Sequence, residues 1–449
     1  MRRFICLAAA LALVAGALAA PRAPILDASK ITEKTLPNGL KLVVKEERQW
    51  PVAALGLYVR AGSRHETAAT AGAAHLVEHL LFETTGDDEQ KLAPFIESLG
   101  GRIDAVTLRD FTHVDVVVAS RYLERVVPVL LKAVFEAGFT EQQMMREVSV
   151  VKREIVDRRD RVDLYLDEML WQLAFDKHPY GRPIGGLIAD VDKLTYDTVN
   201  QFYRRFYVPG NATLLAAGDV DPTWLEGRVK QLTAALPARD TGWQEPPLDP
   251  PLTQTRVKAE PVSRDISLLS FGWRAPAIDD KPAVCATDLI YTLLGQSGVG
   301  RLNTRLINEQ KVLLTADVQF LTQKQPGLLT VTAVVRPGRE EEAQVAIVRE
   351  MQRLAQEPVS DQELDRAKRL LYAEYAFSNE ALDDQVGSMG FYASIDTYRF
   401  AIDYIEQVMQ ITPAQLQQVA ARYYKPDNYA LAILRGTKGS QPDAAAMLP

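Results

Sequence analysis

The sequence predicts an α+β protein made of two homologous α/β halves, each a mostly antiparallel or mixed sheet layered with helices. Three observations support this fold class. A segment that starts at Leu194 has a second copy that starts at Ile411. Four prolines fall within positions 246–251 and separate two long stretches of ordinary globular composition. The apolar patterns of strands and helices do not alternate regularly, as a doubly wound fold requires.

The two copies, "LTYDTVNQFYRRFYVPGNATLLAAG" and "ITPAQLQQVAARYYKPDNYALAILRG", each indicate a capped helix, a turn and a short apolar strand. Four residues of the first copy recur in the second at a constant displacement of 217 residues: Thr195, Tyr207, Pro209 and Asn211 correspond to Thr412, Tyr424, Pro426 and Asn428. Any one match could be a coincidence. A single displacement for all four favours duplicated halves.

The chain begins with "MRRFICLAAALALVAGALAA", which predicts a signal peptide over residues 1–20. Arg2 and Arg3 precede an apolar run, and Ala17 and Ala19 are placed for cleavage. This pattern predicts a periplasmic or secreted protein with no stable membrane span after cleavage. An uncleaved segment would instead anchor the protein to a membrane, although the apolar run is marginal for spanning a bilayer.

The rest of the chain divides at its proline-rich segment. We expect a first domain over residues 24–242, a linker over 243–257 and a homologous second domain over 258–449. The formal net charge of −7 argues against nucleic acid as a partner. Outside the predicted signal peptide Cys285 is the only cysteine, so an intramolecular disulfide is excluded.

Apolar periodicity predicts the elements of the first domain. Alternating apolar residues indicate strands in "NGLKLVVKEE", "VAALGLYVRAG" and "DFTHVDVVVAS". Helical periodicity covers about Thr67 to Phe82, about Lys91 to Ser98, and a pair of helices from Arg121 to Arg158. This order indicates helices layered on a sheet rather than repeated strand-helix crossovers.

The stretch "AAHLVEHLLFETT", residues 73–85, holds two of the five histidines of the chain. In a helix, positions i and i+4 share a face, so His75 and His79 can direct both imidazoles at one metal ion, with Glu78 beside them. Two imidazoles favour zinc over magnesium, and cobalt or manganese would also fit. The alternative is a pair of core or surface histidines without a metal, but a chance H-x-x-E-H match is rare.

A catalytic zinc site needs at least one further protein ligand and an open position for water. The stretch "REVSVVKREIVDR" offers Glu147 and Glu154, which lie seven residues and two turns apart on one helix face. Spacing alone leaves both glutamates open as the third ligand. Taken by itself, this stretch would be interpreted as a solvated, charged helix face.

These motifs resemble the inverzincin metallopeptidases of the pitrilysin and insulysin type, and especially the branch of the mitochondrial processing peptidase. The resemblance extends from "LPNGLKLVV" to "YKPDNYALAIL" and includes "SLGGRIDAVTLRDFTHVDVVV", "HPYGRPIGG" and "FYVPGNATLLAAGDVD". It implies that His75, His79 and Glu154 bind one zinc ion per chain and that Glu78 is the general base. It also implies that Glu147 orients a liganding side chain.

Two features depart from the family pattern. The family's substrate-binding edge strand usually carries Asn-Ala where this chain has Asp104-Ala105, which shifts the expected substrate preference towards basic residues. Active members also carry an arginine and, seven residues later, a tyrosine, where this chain has Ile307 and Leu314. A shifted alignment recruits Arg305 but no tyrosine. Because a charge-stabilising donor contributes about 10²- to 10³-fold in rate, the chain alone should be nearly inert.

The resemblance therefore predicts the metal-bearing subunit of a two-chain bacterial peptidase that closes like a clamshell around peptides or unfolded segments. The predicted partner is a homologous subunit that carries the arginine-tyrosine pair and no H-x-x-E-H. Two alternatives stay open: a self-sufficient homodimeric peptidase, and a non-catalytic scaffold like the core subunits of respiratory complexes. His178, in "DKHPYGRP", is assigned a structural role.

Overall fold

Two β-sheets organise residues 24–83 and 91–437, which are the residues that a computed structural model describes. Each sheet belongs to one half of the chain and combines antiparallel with parallel pairing. The predicted fold class, two α/β halves with mixed sheets and layered helices, is confirmed. The predicted signal peptide over residues 1–20 lies outside the described residues.

The sheet of the first half has six strands: β1 Ile31–Thr35, β2 Lys41–Glu46, β3 Val52–Val59, β4 Arg102–Thr107, β5 Thr112–Ala119 and β6 Ala212–Gly218. Their order in space is β1-β2-β6-β3-β5-β4. β2 and β6 run parallel, and the other neighbours are antiparallel. β4 therefore forms one edge of this sheet.

The helices of the first half are α1 Ala73–Phe82, α2 Leu92–Ser98, α3 Leu123–Phe135, α4 Glu141–Asp160, α5 Val162–Ala174, α6 Ile188–Val191, α7 Tyr196–Phe206 and α8 Pro222–Leu232. α1 begins six residues later than the sequence predicts. Gly72 has a φ of 89° directly before it, and this left-handed conformation is incompatible with a continuing right-handed helix.

The sheet of the second half contains β7 Arg256–Val262, β8 Ser267–Arg274, β9 Thr315–Phe320, β10 Leu328–Val335 and β11 Tyr429–Gly436, in the spatial order β7-β11-β8-β10-β9. Its helices are α9 Lys281–Gly295, α10 Glu340–Gln356, α11 Asp361–Phe377, α12 Leu382–Ile395, α13 Arg399–Gln410 and α14 Pro413–Tyr423. A π-helical segment covers Leu302–Glu309.

The two copies of the repeated segment form the same local structure. Thr195 and Thr412 each cap a helix, α7 and α14, with a reciprocal capping box. The Asn211 side chain donates to the Phe206 carbonyl over 2.9 Å, and Asn428 donates to the carbonyl of Tyr423 over 3.2 Å. These donors and acceptors are related by the same displacement, so the two copies also share their hydrogen bonds.

Each half contributes one helix to the sheet of the other half. α5, from the first half, packs its apolar side on β8 and β11, and α12, from the second half, packs on β3 and β6. The approach of α12 is close, because a Cβ atom added at Gly390 would lie 2.3 Å from the Tyr58 ring. The two halves are therefore interlocked rather than merely adjacent.

The chain between the two halves has no described helix or strand from the end of α8 at Leu232 to the start of β7 at Arg256. This stretch contains the proline-rich segment 243–257, apart from its last two residues, which begin β7. Within residues 24–83 and 91–437, no helix combines the length and apolarity needed to cross a bilayer.

Candidate metal centre

Helix α1 carries both histidines of the motif on one face. Its N-terminus is fixed by a buried carboxylate: Glu66 accepts hydrogen bonds from the main-chain N–H groups of Gly72, over 3.0 Å, and Ala74, over 2.8 Å. A hydrogen-bond acceptor in this position satisfies N–H groups at the start of the helix that have no partner within the helix. The anchored helix places His75 and His79 one turn apart, with ring centroids separated by 4.8 Å.

Helix α4 brings a glutamate to these histidines. The Oε2 atom of Glu154 lies 3.7 Å from Nε2 of His75 and 3.6 Å from Nε2 of His79. One ligand atom from each of the three residues can be chosen so that all lie within 4.8 Å of one another. Among the residues that the structure describes, no other group of histidine, cysteine and acidic side chains meets this criterion.

The second glutamate of α4 contacts the other side of the His79 ring. Oε2 of Glu147 lies 3.2 Å from Nδ1 of His79, whereas Glu154 faces Nε2 of the same ring. In the tautomer of His79 with its proton on Nδ1, the Nδ1–H group donates a hydrogen bond to Glu147. The lone pair of Nε2 is then free to bind a metal ion. The structure thus separates two glutamates that spacing alone could not tell apart.

The charge state of His75 suits a metal ligand. Burial, followed by the nearby charges of His79 and Arg158, lowers the pKa of His75 to about 3, so its imidazole is neutral at pH 7. Its Nδ1 atom is buried without a hydrogen-bond partner in the described part of the chain. A Cβ atom added at Gly185 would lie 3.2 Å from this Nδ1, so the glycine gives the ring its space.

Glu78 lies on the same helix as the two histidines and is half-buried. Burial raises the pKa of its carboxyl, and this rise is opposed by hydrogen bonding to Thr107 and by the charge of His79. Its Oε2 atom is buried, and no described residue offers it a hydrogen-bond partner. Thr107 ends β4, so the carboxylate lies beside the edge strand of the first sheet.

The edge strand β4 turns its two faces to different surroundings. Ile103 and Ala105 pack against the core that contains α1, while Arg102 and Asp104 are exposed and alternate with them. β4 pairs with β5 on one side only. No strand of the described residues pairs with its outer side, which lies next to Glu78, and an unpaired sheet edge can bind an extended peptide by strand addition.

The second half has no arginine-tyrosine pair at the positions that the family pattern indicates. Ile307 lies in the π-helical segment and Leu314 is 41% exposed just before β9. Arg305, the residue that a shifted alignment recruits, forms an ion pair of 2.7 Å with the buried Glu350. The guanidinium of Arg305 is therefore engaged inside the second half.

His65 and His178 lie in structural positions. His178 accepts a hydrogen bond from the main-chain N–H of Tyr180, and its Nε2 lies 2.6 Å from the Gln325 side chain. His65 is 6% exposed and packs on Trp243.

Sequence reasoning did not identify two residues that shape the centre, Glu66 and Gly185. Glu66 lies before α1 and is separated from it by a segment of turns. Gly185 lies far from the motif in sequence, in "GRPIGG". The acidic residue before the helix was the only available signal for the first. The close approach of Gly185 to His75 depends on tertiary packing, which the sequence does not show.

The donor set fits zinc. Two imidazoles and one carboxylate form a typical set of three protein ligands for catalytic zinc. Ligands at about 2.0 to 2.1 Å from a tetrahedral ion lie roughly 3.3 Å apart, close to the distances of 3.6 and 3.7 Å from Glu154 to the two imidazoles. The structure thus brings His75, His79 and Glu154 close enough together to hold one ion.

Comparisons with known protein families match both halves. Residues 41–186 match the model described as insulinase (peptidase family M16), and residues 193–371 match the model described as the peptidase M16 inactive domain. The first match ends at residue 186 and the second begins at residue 193. Together they contain most strands of both sheets.

Named relatives match over most of their length. The zinc protease PqqE of Helicobacter pylori is 25% identical over 89% of this chain and 92% of its own length. The uncharacterized zinc protease YmxG of Bacillus subtilis is 22% identical over 92% of this chain and its full length. A probable mitochondrial-processing peptidase subunit beta of Arabidopsis thaliana is 27% identical over 77% of this chain and 67% of its own length.

Solved structures share the fold. A protease from Helicobacter pylori superposes with a TM-score of 0.82 at 23% identity, covering 90% of this chain and 99% of the other. A peptidase M16 inactive domain from Pseudomonas fluorescens superposes with a TM-score of 0.81 at 20% identity, covering 92% and 100%. At this level of identity the two structures establish the architecture of the chain.

Proposed function

Because the chain belongs to peptidase family M16, we propose that it is a zinc-dependent endopeptidase that hydrolyses peptides or unfolded polypeptide segments. Relatives named zinc proteases match along most of the chain and support a peptidase of the M16 type. The observation that carries the proposal is the convergence of His75, His79 and Glu154 on one point beside the buried carboxylate of Glu78.

The side chains of the candidate metal centre would have different roles in peptide hydrolysis. Zinc held by the three ligands would supply Lewis-acid polarisation of a peptide carbonyl and activation of water. Glu78 would accept a proton from the attacking water and pass it to the leaving amine. Its Oε2 atom has no hydrogen-bond partner within the described chain and is therefore available for that proton. Glu147 would keep the His79 ring in the orientation that its metal bond requires.

The outer side of β4 is the proposed binding site for the substrate main chain. A peptide that pairs with β4 runs next to Thr107 and hence next to Glu78. Strand addition recognises main-chain groups, so it favours extended and unfolded segments over folded ones. This requirement limits the substrates to peptides and unfolded polypeptides.

Full activity is proposed to require a second, homologous subunit. Ile307 and Leu314 cannot donate hydrogen bonds to a developing oxyanion, and Arg305 is held by Glu350. A partner that carries an arginine and a tyrosine would supply these donors. A homodimer without them is the alternative, with lower activity expected. The predicted signal peptide would deliver the subunit to the periplasm or outside the cell.

The test combines metal content with turnover. We expect the purified chain to bind one zinc ion and to cleave a denatured protein substrate slowly alone and rapidly with its homologous subunit. Glu78→Gln should keep the zinc and lose activity, while the exposed Glu97→Gln serves as the matched control. Bound zinc with unchanged turnover in Glu78→Gln would refute the assignment of the base, and full activity of the chain alone would refute the partner requirement.

A non-catalytic scaffold is the second candidate function. It is favoured by the match of residues 193–371 to a family model described as an inactive domain. That match contains none of the residues of the metal centre, whereas His75, His79 and Glu154 fall within the match to the insulinase model. Failure to bind zinc, together with absence of cleavage in the presence of the homologous subunit, would favour the scaffold.

A further inference from the structure

A cavity of about 500 Å³ lies on the face of the first sheet that points away from α1. Its floor is formed by alternate residues of the edge strand β4 and of its neighbour β5, and its opposite wall by α12. α12 packs across β3 and β6 in the middle of the sheet, and the space is left beside it at the edge. The exposed Arg102 and Asp104 of β4 line this edge of the cavity.

The register of β4 and β5 explains which side chains enter the cavity. Asp104 is directly opposite Asp115, and residues opposite each other on neighbouring strands share a face. Ile103 and Ala105, the neighbours of Asp104, belong to the other face and pack in the core around α1. The metal centre and the cavity are thus on opposite faces of one edge strand.

Carboxylates dominate the charge of the cavity. Four aspartates line it, against one arginine and one histidine: Asp104, Asp115, Asp383 and Asp384, with Arg102 and His113. Two of the aspartates have basic partners, since Arg102 pairs with Asp383, and Nδ1 of His113 lies 2.7 Å from Asp115.

The other two carboxylates are available to a ligand. Asp104 and Asp384 form no ion pair with any residue that the structure describes, and both are exposed to solvent. Asp115, in the floor, is instead engaged by the Tyr58 hydroxyl and by His113. The cavity therefore has two carboxylates at its rim that no basic side chain in the described residues neutralises.

Aromatic rings complete the cavity. Tyr58 stacks on His113 with ring centroids 4.8 Å apart and an interplanar angle of 2°, and Phe111 contacts Phe391 edge-on at 5.8 Å. Apolar rings next to carboxylates suit a long side chain that has an apolar stem and a cationic head. Lysine and arginine are the protein side chains with this composition.

We propose that this cavity binds a lysine or arginine side chain of a peptide whose main chain pairs with β4. The inference rests on the proposed function, because it requires the peptide to occupy the outer side of β4. Side chains of an added strand alternate between the two faces of a sheet. Residues next to one that faces the metal centre therefore point to the cavity, where Asp104 and Asp384 attract a basic side chain.

Gly387 provides a way to close the cavity without disturbing the metal centre. It lies on α12 and lines the cavity, and a Cβ atom added there would meet no atom within 4 Å. A larger side chain thus fits into the open space. Replacing a helical glycine should also favour the helix, by up to about 1 kcal/mol, so loss of folding is not expected.

The experiment measures binding rather than turnover, because the chain alone is expected to be nearly inert. A fluorescein-labelled unfolded peptide with one lysine is compared with the same peptide carrying norleucine, which has a similar stem and no charge. Fluorescence anisotropy with zinc-loaded Glu78→Gln gives both Kd values. We expect the lysine peptide to bind about five- to tenfold more tightly at low ionic strength, and the ratio to shrink at high salt.

Three variants in the same background locate the effect. The pair Asp104→Asn and Asp384→Asn should bring the ratio of the two Kd values close to one, and Gly387→Met should do the same by filling the cavity. Asp265→Asn is the matched control, since Asp265 is an exposed aspartate of the second half. It should leave the ratio unchanged.

The outcomes separate this inference from the proposed function. Equal binding of the two peptides by a chain that holds zinc and cleaves with its partner would overturn the cavity assignment and leave the peptidase intact. A lysine preference that survives both Gly387→Met and the aspartate pair would also overturn it. If neither peptide binds and no partner restores cleavage, the proposed function fails together with the inference.

Discussion

Oε2 of Glu147 lies 3.2 Å from Nδ1 of His79, and Oε2 of Glu154 lies 3.6 Å from Nε2 of the same ring. The imidazole is thus held between two carboxylates of one helix. In the proposed function, Glu147 fixes the tautomer and orientation of the ring, and Glu154 binds the metal.

The first prediction concerns Glu147. Its replacement by glutamine should weaken zinc binding about 10- to 100-fold, because an outer hydrogen-bond partner raises the basicity of a liganding histidine and fixes its orientation. Competition with a chelator of known affinity measures the effect. Glu141→Gln, an exposed residue at the start of the same helix, is the control. Equal zinc affinity in both variants would contradict the role of Glu147.

The second prediction concerns Gly185. Gly185→Ala places a methyl group about 3.2 Å from Nδ1 of His75, so the ring has to move by a few tenths of an ångström. We expect zinc affinity to fall by about tenfold, with little change in the free energy of unfolding of the metal-free chain. Gly227→Ala, in open space on α8, should have no effect on zinc binding. A metal affinity that is unchanged in Gly185→Ala would contradict the tight packing.

The third prediction concerns the pH dependence of stability. Burial raises the pKa of Glu66 from 4.5 to about 8, despite the two main-chain donors of α1. The folded state therefore holds one more proton than the unfolded state between these values. The stability contributed by this group is full below pH 4.5 and is lost as the pH rises towards 8.

Replacing Glu66 by glutamine removes this titration. The free energy of unfolding of the parent chain, relative to that of Glu66→Gln, should decrease steadily from pH 5 to pH 8. Urea unfolding of both proteins at each pH measures the difference, with Glu309→Gln as an exposed control. A difference that does not vary with pH would show that Glu66 has the same pKa in both states.

The fourth prediction concerns metal removal. Zinc that binds only the folded chain stabilises it by about 4 kcal/mol at a free concentration of roughly 1,000 times its Kd. The Tm should therefore rise when zinc is added to chelator-treated protein. His79→Gln should show a much smaller rise, because it removes one of three ligands. A zinc-induced shift of equal size in His79→Gln would place the bound metal elsewhere.

The sequence predicted the parts of the centre that depend on local geometry. His75, Glu78 and His79 fall within five residues of one helix, so helical spacing alone brings them together. Glu147 and Glu154 were different, because two full turns leave both on the same face. Their separate roles depend on the axial position of α4 against α1, which is a product of tertiary packing.

The contacts between the two halves could not be predicted from the sequence either, because they also depend on tertiary packing. The constant displacement between Thr195 and Thr412 predicted duplicated halves, but the apolar faces of α5 and α12 do not specify which sheet they cover. The cavity beside α12 combines Asp104 with Asp384, which are distant in sequence. Such a site exists only once a helix of one half lies on the sheet of the other.

The reciprocal placement of α5 and α12 also affects what a fragment of this protein can do. A chain cut at the proline-rich segment would give two fragments. Each fragment would expose an apolar face of its sheet and an apolar helix that normally packs on the sheet of the other fragment. Neither piece should fold in isolation, but the two should reassemble when produced together.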